Sequence, residues 1–521
     1  MCRTNIQNGM TPGGRSLNLT KENRCAAALR QPGGILLVSC YELGHQPIGL
    51  AQPLGFLEHA GYAPAAMDIA VEDVDPAQVT AASFVGISVP MHTALRLGVR
   101  VAGMVRQINP TAHICFYGLY ASINAEYLLQ KASLADTVIG GEYEAPLMHL
   151  IAALDRGEPD VYDLAGVSCL AKPDGEARMA APYLERAPRL FPPAGRSRLP
   201  SLDKYARLER DGKRHLAGYV EASRGCLHRC LHCPIVPVYQ GRFFLVPEDA
   251  VLEDIRRQVE AGAKHMTFGD PDFLNGPGHS LKIVRAMHAE FPAITFDCTA
   301  KIEHLLKHQA ILPDLAALGC IFIISAVESF SDDVLSKLEK GHTRSDVTAA
   351  LSLLRSAGIA LRPSLVPFTP WSTVEDYLEL FDLMERHDLI DATDPVQYSI
   401  RLLIPPGSAL LKRSDIRSLI GPLDQAAFQY PWKHPDPCMD TLHKAASMAV
   451  EHAANTGEEQ DVTFDRLRSM AYDIAGRSPP HVSTRAPHRR RPPRLTEAWF
   501  CCAEPTEGQQ RPLRMQEHDG V

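Results

Sequence analysis

Short apolar runs and amphipathic stretches alternate along the chain in two successive blocks. The first block starts at Ile35 with ILLVS, followed by the helix-like GLAQPLGFLEHAGY. FVGISV (Phe84 to Val89) leads into ALRLGVRVAGMVRQI, and HICFYG (His113 to Gly118) leads through a further helical stretch to DTVIGGEYE. Strands that alternate with helices predict a parallel, doubly wound, Rossmann-like sheet with its ligand site beyond the carboxyl ends of the strands. The second block offers LAGYVEAS, KHMTFGD, ITFDCTA, CIFIISAVES, IALRPSLVPF and PVQYSIRLLI as strands, with amphipathic helices between them. Val251, Ile255 and Val259, at i, i+4 and i+8, mark one apolar stripe. Six βα units in a row predict a (β/α)6 partial TIM barrel, with an active site at the C-terminal ends of its strands.

The remaining stretches set the boundaries. Residues 1–33 are polar and punctuated by Gly and Pro, which predicts a disordered N-terminal tail. The doubly wound domain takes 34–155, a Pro-, Arg- and Gly-rich linker 156–215, and the barrel 216–410. Residues 411–476 turn helical, and 477–521 form a proline-rich flexible tail. No repeat of solenoid length is present.

Composition narrows the class. The 521 residues are 45% hydrophobic and 22% charged, with a formal net charge of −8. No apolar run has the length of a membrane span, and MCRTNIQNGM lacks the apolar core of a signal peptide, so a cytoplasmic protein is expected. PHRRRPPR is short and isolated in an acidic chain, and a solvated linker explains it better than nucleic-acid binding. In a reducing compartment the 13 cysteines point to metal or redox chemistry only where they cluster. Two clusters exist: Cys226, Cys230 and Cys233, and the adjacent pair Cys501 and Cys502.

EASRGCLHRCLHC sets the first three cysteines just after the first barrel strand, with spacing C-x3-C-x2-C. Three thiolates in one loop can hold three corners of a [4Fe-4S] cubane and leave the fourth iron open to a ligand. His228 and His232, inside the same loop, keep a Cys3His zinc site as an alternative. The position at a barrel mouth favours the iron–sulfur reading, because barrels place their chemistry there.

At this point the chain resembles the radical SAM superfamily, whose signature is a C-x3-C-x2-C loop after the first strand of a partial barrel. The resemblance covers roughly residues 216–410. His232 stands where the family commonly has an aromatic residue before the last cysteine. The resemblance implies that Gly269, Asp270 and Asp272 of GDPDF lie where the amino group of S-adenosylmethionine is contacted. It implies that Glu328 of AVES meets the ribose hydroxyls, with Ser329 beside it a further cofactor-binding residue, and that Arg362 clamps the methionine carboxylate. KLEKGHT (Lys337 to Thr343) is similar to a stretch that follows the fourth strand in many members. A one-electron donor such as flavodoxin or ferredoxin is also implied.

The first domain is similar to the cobalamin-binding domain found before such barrels, through ELGHQPIGLAQPLGFLEHAGY, VGISVPMHTAL and the G-E-x-E of GGEYE. The chain departs from that pattern at two places. His45 lacks the flanking residues of the D-x-H-x-x-G motif, and YGLYA (Tyr117 to Ala121) replaces a Gly-rich turn with tyrosines that would fill the space of a corrin tail. Cobalamin is therefore left open as a cofactor.

WFCCAEP (Trp499 to Pro505) resembles the ending of the CUAEP/CCAEP-tail radical SAM proteins. Adjacent cysteines form only a strained, easily reduced disulfide, and as thiolates they suit thiophilic species such as trivalent arsenic. The stretch from Arg477 to Arg494 spans roughly 50 Å when extended, enough to bring the pair back to the barrel mouth. The expected function is transfer of a methyl or 3-amino-3-carboxypropyl group, or a radical, from S-adenosylmethionine to a small substrate held by Cys501 and Cys502. The rivals are a redox relay built on that pair and a non-enzymatic zinc-binding or metal-sensing protein.

Overall fold

The computed structural model describes residues 28–158, 163–170, 177–185, 191–479 and 491–497. Five parallel strands form the centre of the first sheet: β1 (Ile35–Ser39), β2 (Ala65–Asp68), β3 (Phe84–Ser88), β4 (His113–Tyr117) and β5 (Thr137–Ile139). Two antiparallel strands from the stretch read as a linker, β6 (Val167–Leu170) and β7 (Ala177–Arg178), extend it to the order β2-β1-β3-β4-β5-β6-β7. β1 and β3 are buried along their whole length, as a sheet covered on both faces requires. Helices Ile48–His59 and Glu144–Asp155 cover one face, and helix His92–Ile108 covers the other.

The second sheet carries the barrel. It contains β8 (Arg207–Arg210), β9 (Lys213–Val220), β12 (His265–Phe268), β13 (Thr295–Thr299), β14 (Cys320–Glu328) and β15 (Ala360–Leu365). The small hairpin of β10 (Ser223–Gly225) and β11 (Phe243–Leu245) brackets the cysteine loop. Strands β9, β12, β13, β14 and β15 run parallel. The sixth expected strand is reduced to one parallel bridge, Phe368 with Arg401, beyond a 3-10 turn at Pro395–Tyr398. Capping boxes at Thr343/Asp346 and Thr373/Asp376 start helices Arg344–Ala357 and Val374–Arg386, satisfying backbone donors that the first turn leaves free.

The other edge closes on an element absent from the sequence reading. β16 (Arg494–Leu495) pairs antiparallel with β8, so a C-terminal segment forms the outer strand of the barrel sheet. Arg494 pairs with Glu209 at 2.7 Å, and the Tyr41 hydroxyl of the first domain donates to Glu497 at 2.7 Å. Helices Pro437–Thr456 and Gln460–Ile474 form a hairpin that packs Phe464 against Phe381 and Tyr398.

The two domains share one apolar core. Val38 and Val101 belong to the same cluster as Val334, Leu338, Ile404 and Trp432. Among the described residues no helix is long and apolar enough to cross a membrane.

Candidate active site

A cavity of about 330 Å³ lies between the strand ends of the two domains. The barrel contributes Cys226, Cys230, His232, Cys233, Asp270 and Glu328 to its wall; the first domain contributes Ser88, Met91, Gly118 and Gly141. The parallel packing of β9, β12, β13 and β14 brings these carboxyl ends to one mouth.

The cysteine loop is held by its backbone. Cys226 N–H donates to Arg242 O, and Leu231 N–H donates to Leu338 O. Gly225, at φ +73°, turns the chain into the loop, where a Cβ would strike the Arg242 carbonyl at 2.5 Å. Burial pushes the Cys226 thiol up to about 12, so a thiolate there needs a cationic centre beside it.

Glu328 ends β14 in the left-handed region, at φ +62°. Lys340 Nζ donates to its carboxylate at 3.0 Å, and His232 Nε2 lies 3.2 Å away. Burial alone would raise this carboxyl, but Lys340 and His232 outweigh it and hold it at about 2. Glu328 is thus a fixed anion directly behind the cysteine loop. Lys340 lies within KLEKGHT, so the signal for it was present, though its partner was not legible.

The other expected residues divide. Gly269 lies against the Tyr219 ring so closely that a Cβ would overlap the hydroxyl. Asp270 accepts from Ala222 N–H at 2.9 Å and from the Ser223 hydroxyl at 2.6 Å, and burial raises its carboxyl to about 7. It braces the entry to the cysteine loop while one side faces the cavity. Asp272 is not on the cavity wall; its Oδ1 caps the turn at Leu274, and its Oδ2 faces two histidines. Ser329 accepts from Ser331 N–H and lies off the cavity as well.

Arg362 is also elsewhere. It pairs with Asp394 at 2.9 Å in a second, smaller pocket with Ile324, Leu495 and Glu497. The register explains this: Arg362 aligns with Ile324, four positions below Glu328 on β14, so its side chain starts below the mouth. The cation that does face the main cavity at the end of β13 is Lys301, buried and 3.4 Å from Glu303. Cys501 and Cys502 lie outside the described residues.

The G-E-x-E segment ties the domains together. Arg224, at the root of the cysteine loop, donates to Glu144 at 2.5 Å and to Glu221 at 2.8 Å, and approaches Glu142 at 3.5 Å. Tyr239 donates to Glu142 at 2.7 Å. The buried guanidinium with its three carboxylates fixes how the first domain faces the barrel mouth.

For cobalamin the fit is partial. Gly118 and Gly141 line the upper wall. The Tyr117 ring, however, is fully buried in the core with Ile35, Leu37 and Ile48, and its hydroxyl donates to Gly49 O at 2.9 Å. A corrin tail has no room behind β4. His45 is buried and stacked on Tyr219 at 4.4 Å, and burial lowers it to about 4, so it is a neutral ring at pH 7.

The fold and cavity define an α/β protein with a partial barrel and a three-cysteine loop at its mouth. Residues 220–383 match the Radical SAM superfamily, so this segment carries a radical SAM domain. Among solved structures, the chain is similar to the cobalamin-dependent S-adenosylmethionine radical enzyme OxsB with aqua-cobalamin and S-adenosylmethionine bound. The TM-score is 0.66 at 16% identity, covering 81% of this chain and 67% of that one. It is also similar to the radical S-adenosylmethionine methyltransferase TsrM from Kitasatospora setae, with a TM-score of 0.55 at 17% identity, covering 68% and 71%. At these identities the likeness concerns the fold. Curated relatives include tRNA-2-methylthio-N(6)-dimethylallyladenosine synthases. That of Geobacter sulfurreducens is 26% identical over 52% of this chain and 55% of its own length. That of Desulfosudis oleivorans is 28% identical over 36% and 42%. The chain thus spans about half the length of these relatives.

Proposed function

We propose that this enzyme transfers a group derived from S-adenosylmethionine, methyl or 3-amino-3-carboxypropyl, to a small thiophilic substrate presented by Cys501 and Cys502. The observation that carries the reading is the convergence of Cys226, Cys230, Cys233 and Glu328 on one cavity roofed by the first domain. Cys226, Cys230 and Cys233 would hold the cluster, which supplies one electron and an open iron site for reductive cleavage of a carbon–sulfur bond. Glu328, kept ionised by Lys340, accepts hydrogen bonds from a ribose diol. Lys301 replaces Arg362 as the partner of the methionine carboxylate. Asp270 orients the loop, and the buried Arg224 network holds the first domain over the mouth.

The tail reading is supported by the anchored segment before it. Glu497 is fixed against Tyr41 and beside Ile324, a residue that lines both pockets. Cys502 lies five positions after Glu497, which limits the pair to about 18 Å from that anchor. A methyl product calls for cobalamin in the cavity; the aminocarboxypropyl product does not.

The test is anaerobic reconstitution followed by reduction with S-adenosylmethionine, with and without cobalamin. 5′-Deoxyadenosine, or S-adenosylhomocysteine with cobalamin, supports hydrogen-atom or methyl chemistry; methylthioadenosine supports aminocarboxypropyl transfer. Cys501→Ser/Cys502→Ser is expected to keep uncoupled cleavage and lose transfer to arsenite. Unchanged transfer would refute the tail hypothesis. A tRNA substrate, as the relatives' names suggest for them, fits poorly with a net charge of −8. Modification of bulk tRNA would overturn the small-substrate reading.

A further inference from the structure

His228, Asp272 and His304 come from three separate elements and meet beside the cysteine loop. His228 lies between Cys226 and Cys230, Asp272 follows β12, and His304 sits on helix Ile302–Lys307 after β13. One donor atom from each lies within 4.8 Å of the other two. His304 Nδ1 is 2.7 Å from Asp272 Oδ2, and His228 Nε2 is 3.4 Å from the same oxygen.

Two observations set this group apart from an ordinary polar cluster. First, these same three atoms are buried without a hydrogen-bond partner of acceptable geometry. The Asp272 side chain is 0% exposed and that of His304 6%, so leaving them unsatisfied is costly unless something occupies the space between them. Secondly, the opposite edge of the His228 ring is backed by a carboxylate: Nδ1 lies 3.5 Å from Glu303 Oε2. A histidine with one nitrogen toward a carboxylate and the other toward two further donors has the arrangement of a metal ligand with its outer-shell partner. The His228 and His304 ring centroids are 4.4 Å apart, with the ring planes tilted by 57°.

We propose that His228, Asp272 and His304 form a mononuclear site for a divalent transition ion, separate from the cluster held by the neighbouring cysteines. Two imidazoles and one carboxylate suit zinc or iron(II), with coordination positions left over for water or a substrate atom. His228 also lines the main cavity, so the open side of the ion is continuous with it. The ion would join the cysteine loop to the ends of β12 and β13. This also accounts for Asp272 turning away from the cavity.

The test uses the full-length chain with Cys226, Cys230, Cys233, Cys501 and Cys502 all replaced by serine, titrated with cobalt(II) and zinc. One equivalent of cobalt is expected to give visible d–d bands without the sulfur-to-metal charge-transfer band that thiolate ligands produce. Zinc is expected to displace it. Asp272→Asn or His304→Ala is expected to weaken cobalt binding by more than about 100-fold, since losses in the outer shell alone reach that size. Glu303→Gln is expected to weaken it by about 10-fold. In the wild-type chain reconstituted with iron and sulfide, zinc is expected at one equivalent per chain, and His304→Ala removes it while cluster absorbance persists. Thermal unfolding of each variant separates loss of the ion from loss of the fold. Cobalt binding with unaltered affinity in a folded His304→Ala chain would overturn the proposal. So would no binding at all in the folded serine background, which would leave these residues as an ion-paired cluster.

Discussion

Among the described residues the two sheets have seven strands each and arise from the same alternation of strand and helix, yet they use their faces differently. In the first sheet both faces are apolar: Leu36 and Val38 join one core, Ile35 and Leu37 the other. In the barrel, Phe296 and Cys298 of β13 face an apolar core, whereas Asp297 and Thr299 between them line the cavity. Asp297 Oδ1 accepts from Thr267 at 2.7 Å and lies 2.8 Å from His265 Nε2, whereas its Oδ2 is buried without a hydrogen-bond partner, so the interior is polar. A period of two gives every strand two faces; curling the sheet turns one of them into a site. The first sheet roofs the cavity, and the second carries the cysteine loop at its mouth.

That contrast can be broken at either end. The largest effect is expected from Cys226→Ala, which removes one corner of the cluster. Reconstituted iron and cleavage of S-adenosylmethionine should fall to background while thermal unfolding changes little. Lys340→Met comes next. It leaves Glu328 buried without its cation and should destabilise the fold by about 3–5 kcal/mol, measured by denaturant unfolding. The pH dependence has a definite sign. Glu328 stands at about 2 in the folded chain against an ordinary 4.5. The stability it contributes is therefore complete above about pH 4.5 and is lost as pH falls toward 2. Lys340→Met should flatten that acid limb.

In the roof, Gly86→Ala tests packing alone. A Cβ on β3 meets Leu37 at 2.8 Å and Tyr117 at 3.2 Å. Overpacking of about 1–3 kcal/mol is expected, with reconstituted iron unchanged. The smallest effect is expected from Glu497→Gln, which weakens the bond from Tyr41 by about 1 kcal/mol. Loss of group transfer with retained cleavage in that variant would show that anchoring the C-terminal segment matters to the reaction beyond stability.

The legible parts were those encoded locally. A C-x3-C-x2-C loop is a property of eight consecutive residues, and strand–helix alternation is visible in any window of suitable length. Arg362 shows where local reading stops. Its place on the fifth strand was correct, but its height in the barrel depends on pairing with Ile324, and a strand's own pattern carries no information about its neighbour's register. The sixth strand shortened to one bridge because Pro395 opens a 3-10 turn where a longer strand was expected.

The chain by itself therefore determined the class of fold, the cysteine loop and the acidic end of β14, since each rests on residue type and short spacing. Only the tertiary structure decided which charges meet: Lys340 and His232 on Glu328, Arg224 on the G-E-x-E carboxylates, and His228 and His304 on Asp272. It also decided that β16 closes the barrel sheet against β8. The physical reason is common to all of these. Electrostatic and hydrogen-bond partners act over a few ångströms in space, and folding brings together residues that sequence spacing keeps far apart.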